Sequence, residues 1–417
     1  MPAYDLAPDM VHLERLVANT PVCVRYYSFM ETSLARSPSV WLRLSTMAAL
    51  LWQLSTIRVV SGTTTAQAGA PFPTLVERDY IARDFKFSSG ETIPSLRLHY
   101  RTVGAPVRDS TGVVRNAVLI LHGTGGSGAG FLASTFGGQL FGTGQLLDAS
   151  RYFIIIPDGI GHGKSSRPSD GLRMRFPKYT YDDMVRSQHL LLTEELHINH
   201  LRLVMGTSMG AMHCWVWGEM YPGFADGLMP LASAPTAIAG RNRVMRKMIM
   251  DSITEDPDWL HGDYVEQPRR GLVGALNILM MMTSSPLQWH RTGPTRDDAD
   301  RWYEDQIRSR LMTTDANDML YQYDASREYD PSPALEKITA AVLAINSADD
   351  VVNPPELGLM ERLMPHVKHG RYVLIPTSEL TRGHGTHSLP SVWGRYLADF
   401  LQELEHSETA GPGALRR

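Results

Sequence analysis

Short runs of apolar residues, separated by helical patterns, organise most of the chain. Four such runs are continuous rather than alternating: residues 117–121, 152–156, 201–205 and 341–345. Continuous runs are typical of strands buried on both faces of a parallel sheet. Two segments in which apolar and polar residues alternate, 78–87 and 95–103, precede these runs and predict two strands at the start of the domain. Strands that alternate with helices predict an α/β protein with one doubly wound, mostly parallel sheet.

The strand pattern disappears between residues 236 and 333. This stretch is rich in Met and Trp and has helical periodicity at 244–253 and 272–282. We therefore predict a helical cap at 236–333, inserted between two parts of the core at 71–235 and 334–417. Four cap residues either line a substrate pocket or pack within the cap: Met280, Met281, Met282 and Trp289.

The first 70 residues differ from the rest of the chain. A mostly apolar run at 44–57 follows Arg36 and Arg43 and precedes an Ala-x-Ala sequence at 66–68. This order is typical of a secretory signal peptide, and the run is too short to span a bilayer. We expect a periplasmic or secreted protein; the alternative is an N-terminal extension on a cytoplasmic one.

Charge and cysteine content exclude several classes of protein. The 417 residues contain 40 Lys and Arg against 44 Asp and Glu, for a net charge of −4. Nucleic-acid binding requires a basic face, which this balance does not supply. Two cysteines cannot build a disulfide scaffold or a thiolate zinc site. A globular enzyme without a metal or cofactor is the expectation that remains.

A candidate nucleophile lies in residues 206–210, which read Gly-Thr-Ser-Met-Gly. The segment follows the apolar run at 201–205 and precedes a helical pattern, the strand–turn–helix setting in which a G-x-S-x-G serine is exposed. The start of the helix directs free N–H groups and a positive dipole end toward any oxyanion formed there. We therefore predict Ser208 as the nucleophile.

A glycine-rich loop at 122–128 follows the apolar run at 117–121. The loop lacks the G-x-x-x-x-G-K-[ST] pattern of phosphate-binding loops, which disfavours a nucleotide site. Acyl transfer passes through a tetrahedral oxyanion that two backbone N–H groups can stabilise. We assign these donors to Thr124 and Met209.

The general base and its orienting carboxylate are expected after the nucleophile in the chain. Adjacent acids, Asp349 and Asp350, follow the run at 341–345. The proline four residues after Asp350 favours it over Asp349. Near the C-terminus, His384 directly follows a glycine ahead of the final helix, which favours it over His387.

These motifs together resemble the α/β-hydrolase superfamily and, within it, the homoserine O-acetyltransferase-like branch. The resemblance runs from about residue 77 to the C-terminus and is carried by the segments at 176–185, 206–210, 256–264, 350–355 and 383–384. It implies the α/β-hydrolase fold with a helical cap and a Ser208–His384–Asp350 triad.

Two positions depart from that branch. The resemblance implies an arginine at position 250 for the substrate carboxylate and an aspartate at 385 for its amine, but the chain has Met250 and Gly385. Arg246 lies one helical turn before Met250. We therefore predict a serine hydrolase that cleaves a small-molecule ester, with an acyltransferase as the alternative. We expect no nucleic-acid partner and no membrane-spanning helix. A homodimer is one of the oligomeric states compatible with the sequence.

Overall fold

Eight strands form one sheet in the computed structural model, which describes residue 72 and residues 74–409. Their order across the sheet is β1-β2-β4-β3-β5-β6-β7-β8. In chain order, they are β1 (Val76–Lys86), β2 (Thr92–Val103), β3 (Ala117–Leu121), β4 (Phe153–Pro157), β5 (Leu201–Thr207), β6 (Ala225–Leu231), β7 (Ala341–Ser347) and β8 (Gly370–Ile375).

The direction of the strands follows their hydrophobic patterns. β1 and β2 form an antiparallel ribbon that also joins β4 in antiparallel fashion, whereas every pair from β4 to β8 is parallel. The continuous apolar strands β3, β4 and β5 are buried at every residue. The predicted mostly parallel, doubly wound sheet is therefore confirmed.

Two strands, β6 and β8, were not among the strands predicted from the sequence. β6 contains Asp226, Gly227 and Pro230, which are depleted in strands. β8 lies at the edge of the sheet and is only partly buried, and its apolar run is short, at 372–375. Pairing with the neighbouring strands adds both to the sheet.

Ten α-helices surround or cover the sheet in the described part of the chain. In chain order they are α1 (Gly137–Leu140), α2 (Tyr181–Leu190), α3 (Met209–Met220), α4 (Gly240–Thr254), α5 (Arg269–Met282), α6 (Pro286–Thr292), α7 (Arg296–Leu311), α8 (Ala316–Asp324), α9 (Leu359–Leu363) and α10 (Pro390–Thr409). Helices α4–α8 fall within the stretch predicted as a cap. Helix α2 is followed directly by a π turn at Leu191–Glu195.

Three apolar clusters hold these layers together. One side of the sheet packs against α3, which is buried along almost its whole length and includes Trp215 and Trp217. The other side packs against Trp393 and Phe400 of α10. The cap has its own cluster, in which Ile249 of α4 takes part. The cap therefore has a core of its own above the carboxyl ends of the strands.

The N-terminal segment predicted as an export signal lies outside the described residues. Among the residues that are described, no helix combines the length and the apolar character needed to cross a membrane.

Candidate active site

Ser208 occupies the sharp turn between β5 and α3. Its backbone angles are φ 54° and ψ −111°, a sparsely populated conformation for a residue with a side chain. The close approach of strand and helix requires glycine on either side. A Cβ at Gly210 would lie 2.0 Å from the Leu121 carbonyl oxygen, and a Cβ at Gly206 would lie 2.1 Å from the Gly210 oxygen.

A hydrogen-bonded chain links Ser208 to a histidine and a carboxylate. The Nε2 atom of His384 lies 2.8 Å from Ser208 Oγ, and its Nδ1 atom lies 2.8 Å from Asp350 Oδ2. A proton on Nδ1 donates to the carboxylate, which leaves Nε2 as the acceptor for the serine hydroxyl. The structure therefore brings together the three residues predicted as nucleophile, base and orienting acid.

Asp350 is held ionised in a buried position. Its residue is only 1% exposed, and burial alone would raise the pKa of its carboxyl group. The nearby His384 and hydrogen bonds from the Asn353 side chain and the Val352 amide outweigh burial and lower this pKa below its usual value. An ionised carboxylate fixes the tautomer of His384 and stabilises its protonated form.

The two alternative residues occupy other positions. Asp349 turns away from the imidazole and accepts hydrogen bonds from the Gly383 amide at 2.8 Å and the Thr381 hydroxyl at 3.0 Å. His387 packs edge-on against His384, with 5.2 Å between ring centroids. Burial and the neighbouring His384 lower the pKa of His387 to about 3. His387 is therefore a neutral wall residue at physiological pH.

The glycine-rich loop passes directly beside Ser208. A Cβ at Gly123 would lie 3.2 Å from the Cβ of Ser208. His122 fixes the loop: its Nε2 accepts from the Gly159 amide at 3.0 Å and its Nδ1 donates to the Gly123 carbonyl at 2.9 Å. Thr124 therefore lies in the cavity wall beside Ser208. Met209 is the first residue of α3, so its backbone N–H has no carbonyl acceptor within the helix.

A cavity of about 360 Å³ opens between the core and the cap at this point. The core contributes Thr124, Ser208 and His384, together with Phe131 and Phe136. The cap contributes Leu279, Met282, Thr283, Tyr323 and Arg246. Of the four predicted cap residues, only Met282 lines the cavity; Met280 and Trp289 pack in the cap cluster and Met281 is 59% exposed.

A buried guanidinium also faces the cavity. Arg246 on α4 is 2% exposed, and its Nε and Nη1 atoms donate to Asn242 Oδ1 at 2.9 Å and Ser326 Oγ at 3.1 Å. Neither partner carries a negative charge. Among the described residues that line the cavity, none is an aspartate or a glutamate. Within the described part of the chain, the cavity wall therefore offers no carboxylate as a counter-ion for Arg246.

Metal-assisted chemistry has no ligand set in the part of the chain that the structure describes. No three histidine, cysteine or acidic side chains there are grouped closely enough to hold a metal ion. The polar groups of the cavity are instead the serine, imidazole, hydroxyl and guanidinium groups named above.

Comparison with known proteins decides the family. A family model described as alpha/beta hydrolase fold matches residues 116–379. The chain is an α/β hydrolase.

Two relatives place this α/β hydrolase in the homoserine O-acetyltransferase-like branch. A "Probable acyltransferase" of Methanothermobacter thermautotrophicus is 30% identical over 285 residues, covering 68% of this chain and 86% of the relative. A homoserine O-acetyltransferase of Moorella thermoacetica is 33% identical over 223 residues, but the match covers only 48% of this chain and 57% of that relative. The family resemblance predicted from the sequence is confirmed.

A solved structure supports the same fold for this α/β hydrolase. The crystal structure of esterase E22 superposes with a TM-score of 0.69 and 21% identity, covering 78% of this chain and 100% of the esterase. At this identity the likeness concerns the fold alone.

The structure separates the two residues considered for the carboxylate contact in this α/β hydrolase. Met250 packs against the cap cluster, whereas Arg246, one helical turn earlier in α4, lines the cavity. At the position of the second departure, Gly385 offers no charge, and no described residue of the cavity wall is an aspartate or a glutamate.

Proposed function

We propose that this α/β hydrolase cleaves a carboxylic ester through an acyl-enzyme formed on Ser208. The observation that carries the proposal is the hydrogen-bonded chain from Ser208 through His384 to Asp350, with 2.8 Å at each link. Ser208 and His384 line a cavity large enough for a small ester, and Asp350 is buried behind His384.

The reaction proceeds in two halves. His384 Nε2 accepts the hydroxyl proton as Ser208 Oγ attacks the ester carbonyl, and Asp350 stabilises the imidazolium that forms. The amides of Thr124 and Met209 hold the oxyanion of the tetrahedral intermediate. Collapse of the intermediate transfers the proton from His384 to the leaving alcohol. His384 then takes a proton from water as the water attacks the acyl-enzyme, and it returns that proton to Ser208 Oγ as the bond between Oγ and the acyl carbon breaks and the acid leaves.

We further propose that the preferred ester carries a negative charge. Arg246 places a buried guanidinium in the cavity wall with neutral hydrogen-bond partners, so an anionic substrate group would supply the missing counter-ion. The absence of an acidic residue from the described cavity wall disfavours an ammonium group on the same substrate. The charge pattern therefore suits a carboxylate-bearing ester without a free amine.

Acyl transfer is the second candidate function. It would use the same acyl-enzyme, with an alcohol acceptor in place of water during deacylation. Arg246 favours this candidate, because a guanidinium in the cavity could hold the carboxylate of an acceptor. The names of the two relatives favour it as well. The missing acidic partner favours hydrolysis over transfer to an amino acid.

Paired neutral and anionic esters test the substrate proposal. Arg246→Met should raise the KM for 4-acetoxybenzoate or an aryl glutarate monoester by roughly 10- to 100-fold, since a hydrogen bond to a charged group contributes about 1.5–3 kcal/mol. The same change should leave the KM for phenyl acetate nearly unaltered. Arg241→Met, on the exposed part of the same helix, is the matched control. Equal effects on charged and neutral esters would refute the role of Arg246.

An acceptor competition separates hydrolysis from transfer. We expect hydrolysis of p-nitrophenyl acetate and no change of product when millimolar homoserine is added. Mass spectrometry of a reaction with acetyl-CoA and homoserine provides the decisive readout. Formation of O-acetylhomoserine at a rate equal to or above hydrolysis would establish the acyltransferase instead.

We also propose that residues 1–70 direct export to the periplasm or the exterior. The support is the order of basic, apolar and small residues in the sequence, because this segment lies outside the described structure. Expression in a Gram-negative host should yield a periplasmic product that starts near residue 69. Retention of Met1 on active cytosolic protein, found by N-terminal sequencing, would contradict export.

A further inference from the structure

The carboxylate of Asp349 is a meeting point for hydrogen bonds from three segments of the chain. Its Oδ2 atom accepts from the Gly383 amide at 2.8 Å, the Thr381 hydroxyl at 3.0 Å and the Ser285 hydroxyl at 3.3 Å. Its Oδ1 atom accepts from the hydroxyl of Ser347 at the end of β7. The donors thus come from β7, from the loop before His384 and from the cap.

The backbone before His384 is enclosed between the same elements. Gly383 has φ +56°, and a Cβ there would lie 2.6 Å from the Ser284 carbonyl oxygen and 3.2 Å from the Asp349 carbonyl oxygen. Ser284 and Ser285 belong to the short connection between cap helices α5 and α6. The residue that precedes the imidazole is therefore in contact with both the β7 turn and the cap.

We propose that Asp349 is a positioning residue that sets the backbone of His384 and joins it to the cap through Ser285. The proposal rests on the proposed function, because it assigns Asp349 a role in the reaction only through His384. The two acids that follow β7 then have separate tasks: Asp350 contacts the imidazole itself, and Asp349 holds the main chain that carries it.

This role requires a hydrogen-bond acceptor and not a negative charge. An asparagine at position 349 could place its amide oxygen at the Gly383 amide and direct its amide nitrogen toward the Ser347 oxygen. An alanine would leave the Gly383 amide without this acceptor. The two substitutions therefore separate acceptance of the hydrogen bond from the charge of the carboxylate.

Steady-state kinetics with phenyl acetate test the proposal. Asp349→Ala should lower kcat on the order of 10²-fold with little change in KM, because displacement of a catalytic group by about 1 Å has effects of that size. Asp349→Asn should restore most of the lost kcat without moving the midpoint of the pH–rate profile. Asp109→Ala is a control, since Asp109 also accepts several turn hydrogen bonds but lies in the loop before β3, away from the site.

Two results would overturn the proposal. Wild-type kcat in Asp349→Ala, with only a lower melting temperature, would show a purely structural role. Equal loss in the alanine and asparagine variants, with a shifted pH–rate midpoint, would show that the charge itself matters. Ser208→Ala in the same assay separates these outcomes from failure of the proposed function, which would appear as retained turnover in that variant.

A separate variant tests the hydrogen bond between Ser285 and Asp349, and it also tests the proposal if Asp349→Ala does not fold. Ser285→Ala removes one donor from Asp349 Oδ2 and should lower kcat by a smaller factor, again with little change in KM. Wild-type kcat in folded Ser285→Ala would overturn the proposed coupling between the cap and His384.

Discussion

The core and the cap contribute different chemistry to the same cavity. The core supplies Ser208, His384 and Asp350 from connections at the carboxyl ends of its strands. The cap supplies apolar side chains and the one guanidinium among the described lining residues, Arg246. We infer that the reaction geometry resides in the connections of the sheet and that substrate selection resides in the helices above it.

The contacts that hold Ser208 in the core differ in kind from those that hold Arg246 in the cap. Ser208 is held by a strained turn with backbone contacts that tolerate only glycine at positions 206 and 210. Arg246 is held by two neutral side chains, Asn242 and Ser326. A substitution in the turn must move main-chain atoms, whereas a substitution around Arg246 changes only side chains. We therefore expect the cap residues to be the more tolerant of change.

Removal of the nucleophile should have the largest effect. Ser208→Ala should abolish covalent labelling by a fluorophosphonate probe and lower kcat on the order of 10⁶-fold, because triad residues act as a unit. Labelling followed by peptide mass spectrometry provides the measurement. A label found on another serine of the wild-type protein would reject the assignment of catalysis to this turn.

Replacement by asparagine should lower kcat by very different factors at the two acidic positions after β7. Asp350→Asn should lower kcat about 10⁴-fold, because the imidazole loses the partner that fixes its tautomer. Asp349→Asn should have a far smaller effect, as its amide oxygen still accepts from the Gly383 amide. Comparison of kcat on one ester decides the order. The reverse order would reject the register of the triad.

The imidazoles provide a parallel comparison. His384→Ala should remove nearly all activity, because His384 is the ring bonded to Ser208 Oγ. His387→Ala should alter the cavity wall and cost far less. Equal losses of kcat in the two variants would show that His387 takes part in proton transfer.

Substitution of a cap residue should change the selectivity among acyl esters without changing the reactivity of Ser208. Met282→Ala enlarges the cavity and should shift the ratio of kcat/KM between long and short acyl esters by about tenfold, the typical effect of a small change in an apolar pocket. Labelling of Ser208 by a small fluorophosphonate should persist. Met281→Ala, on the exposed side of the same helix, is the control and should leave the ratio unchanged.

Acid should destabilise the core through its buried histidines. Burial and the neighbouring His122 lower the pKa of His162 to about 3, whereas an unfolded histidine titrates near 6.5. Between these values the unfolded chain binds a proton that the folded chain excludes, so the free energy of unfolding falls as pH falls. The slope contributed is about 1.4 kcal/mol per pH unit.

Removal of that histidine should flatten the pH dependence. Urea unfolding of His162→Gln between about pH 5.5 and pH 4.5, where the unfolded histidine is protonated and the folded one is not, should show a slope that is smaller by about this amount. His261→Gln, at an exposed cap position, is the control. An unchanged slope in His162→Gln would contradict the buried neutral state of His162.

Local sequence predicted the elements that depend on local signals. The apolar runs of β3 and β5, the G-x-S-x-G turn and the glycine-rich loop were all recognisable because their composition follows from burial or from close backbone approach. β6 and β8 were not predicted, because β6 contains residues depleted in strands and the apolar run of β8 is short. An apolar helical pattern also does not distinguish the α-helical turns of α2 from the π turn that follows them.

The sequence by itself therefore determined the class of fold, the family and a short set of candidate residues. Local sequence only favoured one neighbour over the other within that set, and the tertiary structure shows which of them contacts the imidazole. Asp349 and Asp350 are adjacent in the chain, yet one carboxylate meets the Gly383 amide and the other meets the imidazole of His384. Likewise, a cap residue one helical turn from the expected position brings its guanidinium to the cavity. These choices depend on side-chain direction and on distances between segments far apart in sequence, which only the packed chain defines.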